Sequence, residues 1–144
     1  MKAVRALSIA LLLICGGSAI VGGGSMLLDT SGSTLGLSVA LLRSTPFVDY
    51  FIPGLVLFVI IGISGIVTGI LTILRSRYSA QLTILQGAIV ASWIAIQAFL
   101  LQIMDPIQMT VGAIGFTLFC LGLFLAGEET VTHDRRSLYR RSHN

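Results

Sequence analysis

Four long, uncharged apolar runs dominate the pattern of hydrophobic and polar positions along the chain. They cover residues 6–28, 50–74, 78–104 and 106–127, and no Asp, Glu, Lys, Arg or His interrupts any of them. A helix rises about 1.5 Å per residue and a bilayer's hydrocarbon core is about 30 Å thick, so about 20 apolar residues cross it. Because a backbone in lipid must satisfy its own hydrogen bonds, each run is expected to form a helix.

The predicted fold class is therefore an all-α membrane protein, a bundle of four transmembrane helices. Residues 1–127 would form the membrane domain, and residues 128–144 a basic tail. The expected helices cover about 6–28, 52–74, 80–104 and 107–127. A signal peptide with a cleavage site near Ala19 is the alternative for the first run, but the apolar run continues to Leu28, too far for such a peptide.

One long connection, residues 29–49, separates the first two runs. Leu35, Val39 and Leu42 recur in it at helical spacing, which predicts a short amphipathic helix over 34–43 lying in the membrane interface. Pro46 would end this interfacial helix, because the residue before a proline is driven out of the helical conformation. The alternative is an apolar loop that packs on the bundle.

The positive charges predict an orientation. Of the nine Lys and Arg residues, all but Arg43 lie on the same side of the predicted bundle. Positive residues concentrate on the cytoplasmic side, so both termini are expected in the cytoplasm. The tail arginines would bind anionic lipid headgroups: Arg135, Arg136, Arg140 and Arg141. Since the charges flank apolar runs, the net charge of +3 indicates a membrane and not nucleic acid as the partner.

Small residues recur at helical spacing within the runs and let helix backbones approach closely. They predict a face for packing or for a partner, made of Gly65, Gly69, Gly87, Ala91, Ala95 and Gln97. Gln86 and Gln97 are unusual in lipid. An interhelical hydrogen bond from either would set the register of the helices more than their stability.

The chain offers little reactive chemistry. No ionisable side chain lies inside a predicted span, which argues against a proton-coupled pump acting alone. Both histidines lie in the tail, and the two cysteines form no CxxC motif. We therefore predict no catalytic residue, metal or cofactor. The expected outer face gathers Asp29, Arg43, Asp49, Tyr50 and Asp105. These residues could form an Arg43–Asp pair that holds the interfacial helix, or a small site for a lipid headgroup or a partner.

A motif marks the entrance to the second run. Residues 44–58 read STPFVDYFIPGLVLF, and Trp93, Gln97 and Pro106 follow later in the chain. In these features the chain resembles a family of small, uncharacterised prokaryotic membrane proteins with four spans, over residues 35–125. The resemblance implies a fold and a location in the prokaryotic cytoplasmic membrane, and it implies no activity.

The favoured hypothesis is a non-enzymatic accessory or assembly subunit that acts by helix packing with a membrane-protein partner or as a homo-oligomer, surrounded by lipid. The alternative is an oligomeric transporter or channel for a small neutral or lipid-like solute, using Ser64, Thr68, Thr72 and Gln97. A third hypothesis is an enzyme that acts on a lipid at the outer face, with Asp49 or Asp105 as the acid–base group.

Overall fold

The computed structural model of the chain describes residues 2–101 and 106–142, with side chains described through residue 127 except that of residue 44. Within this part the chain is helical and contains no strand. We name the four long helices α1, α2, α3 and α4, with the bounds Lys2–Leu28, Phe51–Ile73, Ser79–Leu101 and Pro106–Ser142. Among the described residues, four segments are long and apolar enough to cross a membrane, namely α1, α2, α3 and the Pro106–Gly127 part of α4, which confirms the multi-pass helical prediction.

The helix α4 continues well beyond its apolar part and runs to Ser142, through most of the segment predicted as a tail. No glycine or proline follows Gly127. The sequence therefore has none of the residues that usually end a helix there.

A tight reversal, residues 74–78, joins α2 to α3. Arg75 adopts a left-handed conformation with φ of 53°. The Ser76 N–H donates to the Leu71 carbonyl at 3.0 Å, and the Arg75 N–H donates to the Thr72 carbonyl at 3.3 Å. This is a Schellman motif, which satisfies the last carbonyls of a helix. We call this end of the bundle the turn end, and the opposite end, which carries residues 29–50, the loop end.

The single helix predicted over 34–43 is not confirmed. The segment forms two short 3₁₀ turns, Ser33–Leu35 and Val39–Ser44. Gly36 between them has a φ of 66°, a left-handed conformation that a continuous helix does not contain. Ser38 then caps the second turn, its side-chain oxygen accepting the Ala40 N–H at 3.2 Å.

The bundle consists of two closely packed antiparallel pairs. The most extensive contacts join α1 to α2 and α3 to α4, and smaller contacts join α1 to α4 and α2 to α3. The pairs meet in a core formed by Cys15, Ala19, Ile61 and Val90. This arrangement leaves the seam between α2 and α3 more open than the two interfaces within the pairs.

Candidate functional site

Glycines bring the backbones of α1 and α2 into direct contact at two levels. A Cβ atom on Gly23 would lie 2.5 Å from the Phe58 nitrogen and 2.7 Å from the Gly54 oxygen. About two helical turns nearer the turn end, a Cβ on Gly16 would lie 3.1 Å from the Gly62 oxygen. A side chain would clash with the α2 backbone at Gly23 and crowd it at Gly16, so the two pairs of glycines set how closely the helices approach.

The middle of α2, Val56–Ile63, is a π-helix, in which the N–H groups bond five residues back. Seven positions separate Gly16 from Gly23 on α1, whereas eight separate Gly54 from Gly62 on α2. In a regular helix each residue turns by about 100°, so two residues eight apart would face about 80° away from each other. One extra residue held in the π segment removes this mismatch and keeps both α2 glycines against α1.

A buried glutamine is hydrogen-bonded to the end of the π segment. Gln86 of α3 is 4% exposed. Its Nε2 donates to the Ile61 carbonyl at 3.0 Å, and its Oε1 accepts the Ser64 hydroxyl at 2.8 Å. A Cβ on Gly65 would lie 3.3 Å from Nε2, so glycine there makes room for the amide. The interhelical hydrogen bond predicted for Gln86 is confirmed, and it joins α3 to the irregular part of α2.

Further buried hydroxyls lie between Gln86 and the turn end. Thr72, Thr83, Ser79 and Ser8 are each 0% exposed. The Thr72 and Thr83 hydroxyls donate to carbonyls one turn back on their own helices, at 2.8 and 2.7 Å. Within the described residues, the Ser79 hydroxyl and the Trp93 indole nitrogen are the buried side-chain polar atoms without a partner. These polar side chains are packed among the helices.

Most of the predicted packing or partner face lies inside the bundle. Gly69 contacts α1, since its Cβ would lie 2.9 Å from the Leu13 side chain, and Gly65 also lies against α1. Gly87 and Ala91 contact α4 around Gly115, with a Cβ on Gly87 2.7 Å from the Gly115 oxygen. Ala95 is exposed and Gln97 is partly buried. These six residues therefore do not form one surface.

The predicted outer cluster is divided among separate local contacts. The Asp29 carboxylate accepts the Ser31, Ser33 and Thr34 hydroxyls at 2.5, 2.7 and 2.8 Å. These hydrogen bonds hold the pKa of Asp29 well below its usual range. Asp49 accepts the Phe51 N–H at the start of α2, at 3.0 Å.

Tyr50, which is 6% exposed, fastens the loop to the bundle. Its hydroxyl donates to the Ser38 carbonyl at 2.9 Å, and its N–H donates to the Thr30 carbonyl at 3.0 Å. Arg43 is exposed, and it forms no ion pair with Asp49 or any other described carboxylate. Asp105, the other predicted partner of Arg43, lies outside the described residues. Among the described residues, Tyr50 therefore holds the loop on the bundle, and the predicted pair of Arg43 with Asp105 stays a prediction.

Three adjoining cavities lie at the loop end, along the seam between α2 and α3. An open groove of about 270 Å³ lies on the loop beside Arg43. Leu42 and Phe47 separate it from a cavity of about 40 Å³ below the loop, which contains Gln97. Trp93 and Ile96 line both that cavity and a third, apolar groove of about 310 Å³ between α2 and α3.

On the outside of α1, large and small residues alternate along an exposed stripe. Leu7, Ile14 and Val21 are 48%, 61% and 70% exposed, and Ala10 and Gly17 lie between them on the same face. A Cβ on Gly17 would have no atom of the chain within 4 Å. We call these five residues the α1 seam. Their spacing is the seven-residue repeat of a helix that packs against another helix.

The other predicted sites give less information. Cys15 is a buried free thiol and Cys120 an exposed one. No group of three metal-binding side chains occurs in the part of the chain that the structure describes. The backbone of α4 includes Arg135, Arg136, Arg140 and Arg141, whose side chains lie outside the described part.

The sequence reasoning missed the π segment, the α1 seam and the cavities. The unequal glycine spacings on α1 and α2 were the available signal for the first, and the seven-residue repeat of α1 for the second. Comparison of the chain with protein-family models, curated proteins and solved structures finds no match.

Proposed function

We propose that the chain is a small, non-enzymatic accessory or assembly subunit of the prokaryotic cytoplasmic membrane, with both termini in the cytoplasm. It would act by packing the α1 seam against a helix of a membrane partner or of a second copy. The positive charges at the turn end support this orientation.

The observation that carries the proposal is that Gly17, the glycine of the α1 seam, packs against no other helix of its own chain. A glycine inside a helix costs about 0.5–1 kcal/mol relative to alanine. Gly16 and Gly23 offset this cost through contacts with α2, whereas Gly17 meets no atom of its own chain. Close approach of another helix is what a glycine on a lipid-facing surface permits, and alternating large and small residues provide knobs and holes.

The test is photo-crosslinking in native membranes from position 14 of the α1 seam, with position 116 on α4 as the control. Both residues are exposed large apolar side chains, 61% for Ile14 and 64% for Phe116. We expect a protein adduct from position 14 alone, and we expect Gly17→Leu to abolish it. The matched change Ala113→Leu, at an exposed position on α4, should leave the adduct intact. The proposal would be refuted if both positions gave adducts with lipid alone and the protein were purely monomeric in mild detergent.

The buried hydroxyls favour a second candidate, an oligomeric transporter or channel for a small neutral or lipid-like solute. Thr72, Thr83 and Gln86 form a polar stripe from the turn end to the middle of the bundle. If they line a path, replacing both threonines by valine should slow solute or lipid flux into liposomes while the protein stays folded. If flux into liposomes that contain the unchanged protein equals flux into protein-free liposomes, this candidate is excluded.

A further inference from the structure

We propose that the three adjoining cavities at the loop end bind one glycerophospholipid from the leaflet on that side. An acyl chain would occupy the groove between α2 and α3, an ester group would lie beside Gln97, and the phosphate would lie beside Arg43. This site is separate from the α1 seam and does not depend on the function proposed for it.

The lower groove has the chemistry and the length of an acyl chain. Val56, Ile60 and Ile89 line it, and Ser92 is the one hydroxyl among its lining residues. The lining of the two adjoining cavities extends along α3 from residue 88 to Leu101. At about 1.5 Å per residue this stretch is about 20 Å long, whereas one leaflet contributes about 15 Å of hydrocarbon. A chain in the groove could therefore run from the interface to the bilayer midplane.

Gln97 lies where the polar part of such a lipid would begin. Gln97 is partly buried and lines the middle cavity beside apolar side chains such as Met26 and Leu100, and no hydrogen bond joins its side chain to a described residue. A polar group away from water is costly unless it is hydrogen-bonded. An ester carbonyl of a bound lipid would accept the Nε2 hydrogen, which gives this amide the partner that the chain does not provide.

Arg43 lies at the polar end of the series of cavities. It lines the groove on the loop, which adjoins the Gln97 cavity, with Leu42 and Phe47 lining both. No described carboxylate pairs with its guanidinium. Arginine suits phosphate because its planar donors can bind two oxygens at once. Between α2 and α3 the cation, the amide and the apolar groove follow one another in the same order as the phosphate, the ester and the acyl chain of a phospholipid.

The small size of the middle cavity favours a lipid over a protein helix as its occupant. The loop residues Leu42, Phe47 and Tyr50 cover this cavity, whose volume is about 40 Å³. A helix with its side chains is about 10–12 Å across. The cavity therefore excludes a helix and has room only for a thin group, such as one segment of a lipid.

The experiment uses the full-length protein, delipidated in detergent, with three probes at equal concentration. These are phosphatidylglycerol, diacylglycerol with the same acyl chains, and inorganic phosphate. Native mass spectrometry counts bound lipid, and thermal unfolding measures the shift in Tm. We expect phosphatidylglycerol to bind about fivefold more tightly than diacylglycerol, the contribution of one basic residue near a phosphate. Inorganic phosphate should neither be retained nor raise the Tm.

Three variants separate the contributions. Arg43→Gln should remove the preference for phosphatidylglycerol, and Gln97→Leu should weaken both lipids alike. Arg77→Gln, which changes an exposed arginine at the turn end, is the control and should keep the preference.

Equal binding of both lipids by the unchanged protein would overturn the proposal. Equal effects of Arg43→Gln and Arg77→Gln would overturn it as well. So would a Tm rise with inorganic phosphate as large as that with phosphatidylglycerol, or a protein adduct from a photo-crosslinker at Ser92. Each variant's helical circular dichroism and elution volume show that it is folded, so a failed fold is not mistaken for lost binding.

Discussion

Deleting Ile60 from the π segment of α2 tests why that segment exists. If the π segment holds one surplus residue between Gly54 and Gly62, the deletion converts it to a regular helix. The two glycines are then seven positions apart, as Gly16 and Gly23 are on α1. Both glycine contacts between α1 and α2 should therefore survive the loss of a residue. Such a deletion normally rotates one half of a helix by about 100° relative to the other.

The expected cost of the deletion is small. Converting the segment to a regular helix moves the Ile61 carbonyl relative to α3, so we expect Gln86 to lose its 3.0 Å hydrogen bond to it. An interhelical hydrogen bond in a membrane contributes about 0.6 kcal/mol on average. Because Ile60 is 47% exposed, little packing is lost with its side chain. We expect the free energy of unfolding to fall by about 1 kcal/mol.

The matched control is deletion of Val67, in the regular part of the same helix. Val67 is 48% exposed, so the two deletions shorten α2 equally and remove similar side chains. Without a surplus residue to absorb the change, Thr68, Gly69 and Thr72 would rotate away from the neighbours that bury them. Lost packing and newly exposed polar groups should together cost about 3 kcal/mol or more.

The assay follows the thiol of Cys15, which is 8% exposed and becomes reactive when the bundle unfolds. In a Cys120→Ser background Cys15 is the single cysteine, because the chain has two. A thiol-reactive dye then reports unfolding on heating in detergent. If the two deletions lower the Tm equally, the surplus-residue explanation of the π segment is wrong.

Three further predictions follow from single positions. Gly16→Ala should lower the Tm, because its Cβ would lie 3.0 Å from a backbone nitrogen of α2, whereas Gly17→Ala, with open space, should leave it unchanged or raise it. The lowered pKa of Asp29 means that its stabilisation of the loop is complete above the usual carboxyl pKa of about 3.9, declines below that value, and is lost as pH falls through the lowered pKa of the folded protein. Amide hydrogen exchange at residue 34 should report this loss, and Asp29→Asn should show it at every pH. Arg75→Gly should stabilise the protein by about 1 kcal/mol by removing a left-handed non-glycine residue, and Arg77→Gly, the control, should not raise the Tm.

The sequence predicted the four spans because each one depends on local properties, namely length, apolar character and absence of charge. The π segment could not be predicted in the same way. Every residue of Val56–Ile63 is apolar or glycine, and such a run is compatible with either hydrogen-bond pattern. The choice comes from α1, a partner more than thirty residues away, through the positions of its two glycines.

The same limit explains the packing face. A small-residue stripe shows that a helix is closely approached, but it does not say by what. Gly65 and Gly87 are contacted by neighbours within the chain, whereas Gly17, which lay outside the predicted packing face, is open. On the loop, the spacing of Leu35, Val39 and Leu42 was helical, yet the left-handed Gly36 divides the segment into two turns.

The division into two pairs bears on how the chain is made. Each pair is a helical hairpin whose partners are neighbours in sequence, so the first can complete its own interface while the ribosome is still synthesising the second. The reversal at Arg75 is the natural place to divide the gene. Two fragments produced separately, one ending and the other beginning in that reversal, are expected to meet in the membrane and restore the whole bundle.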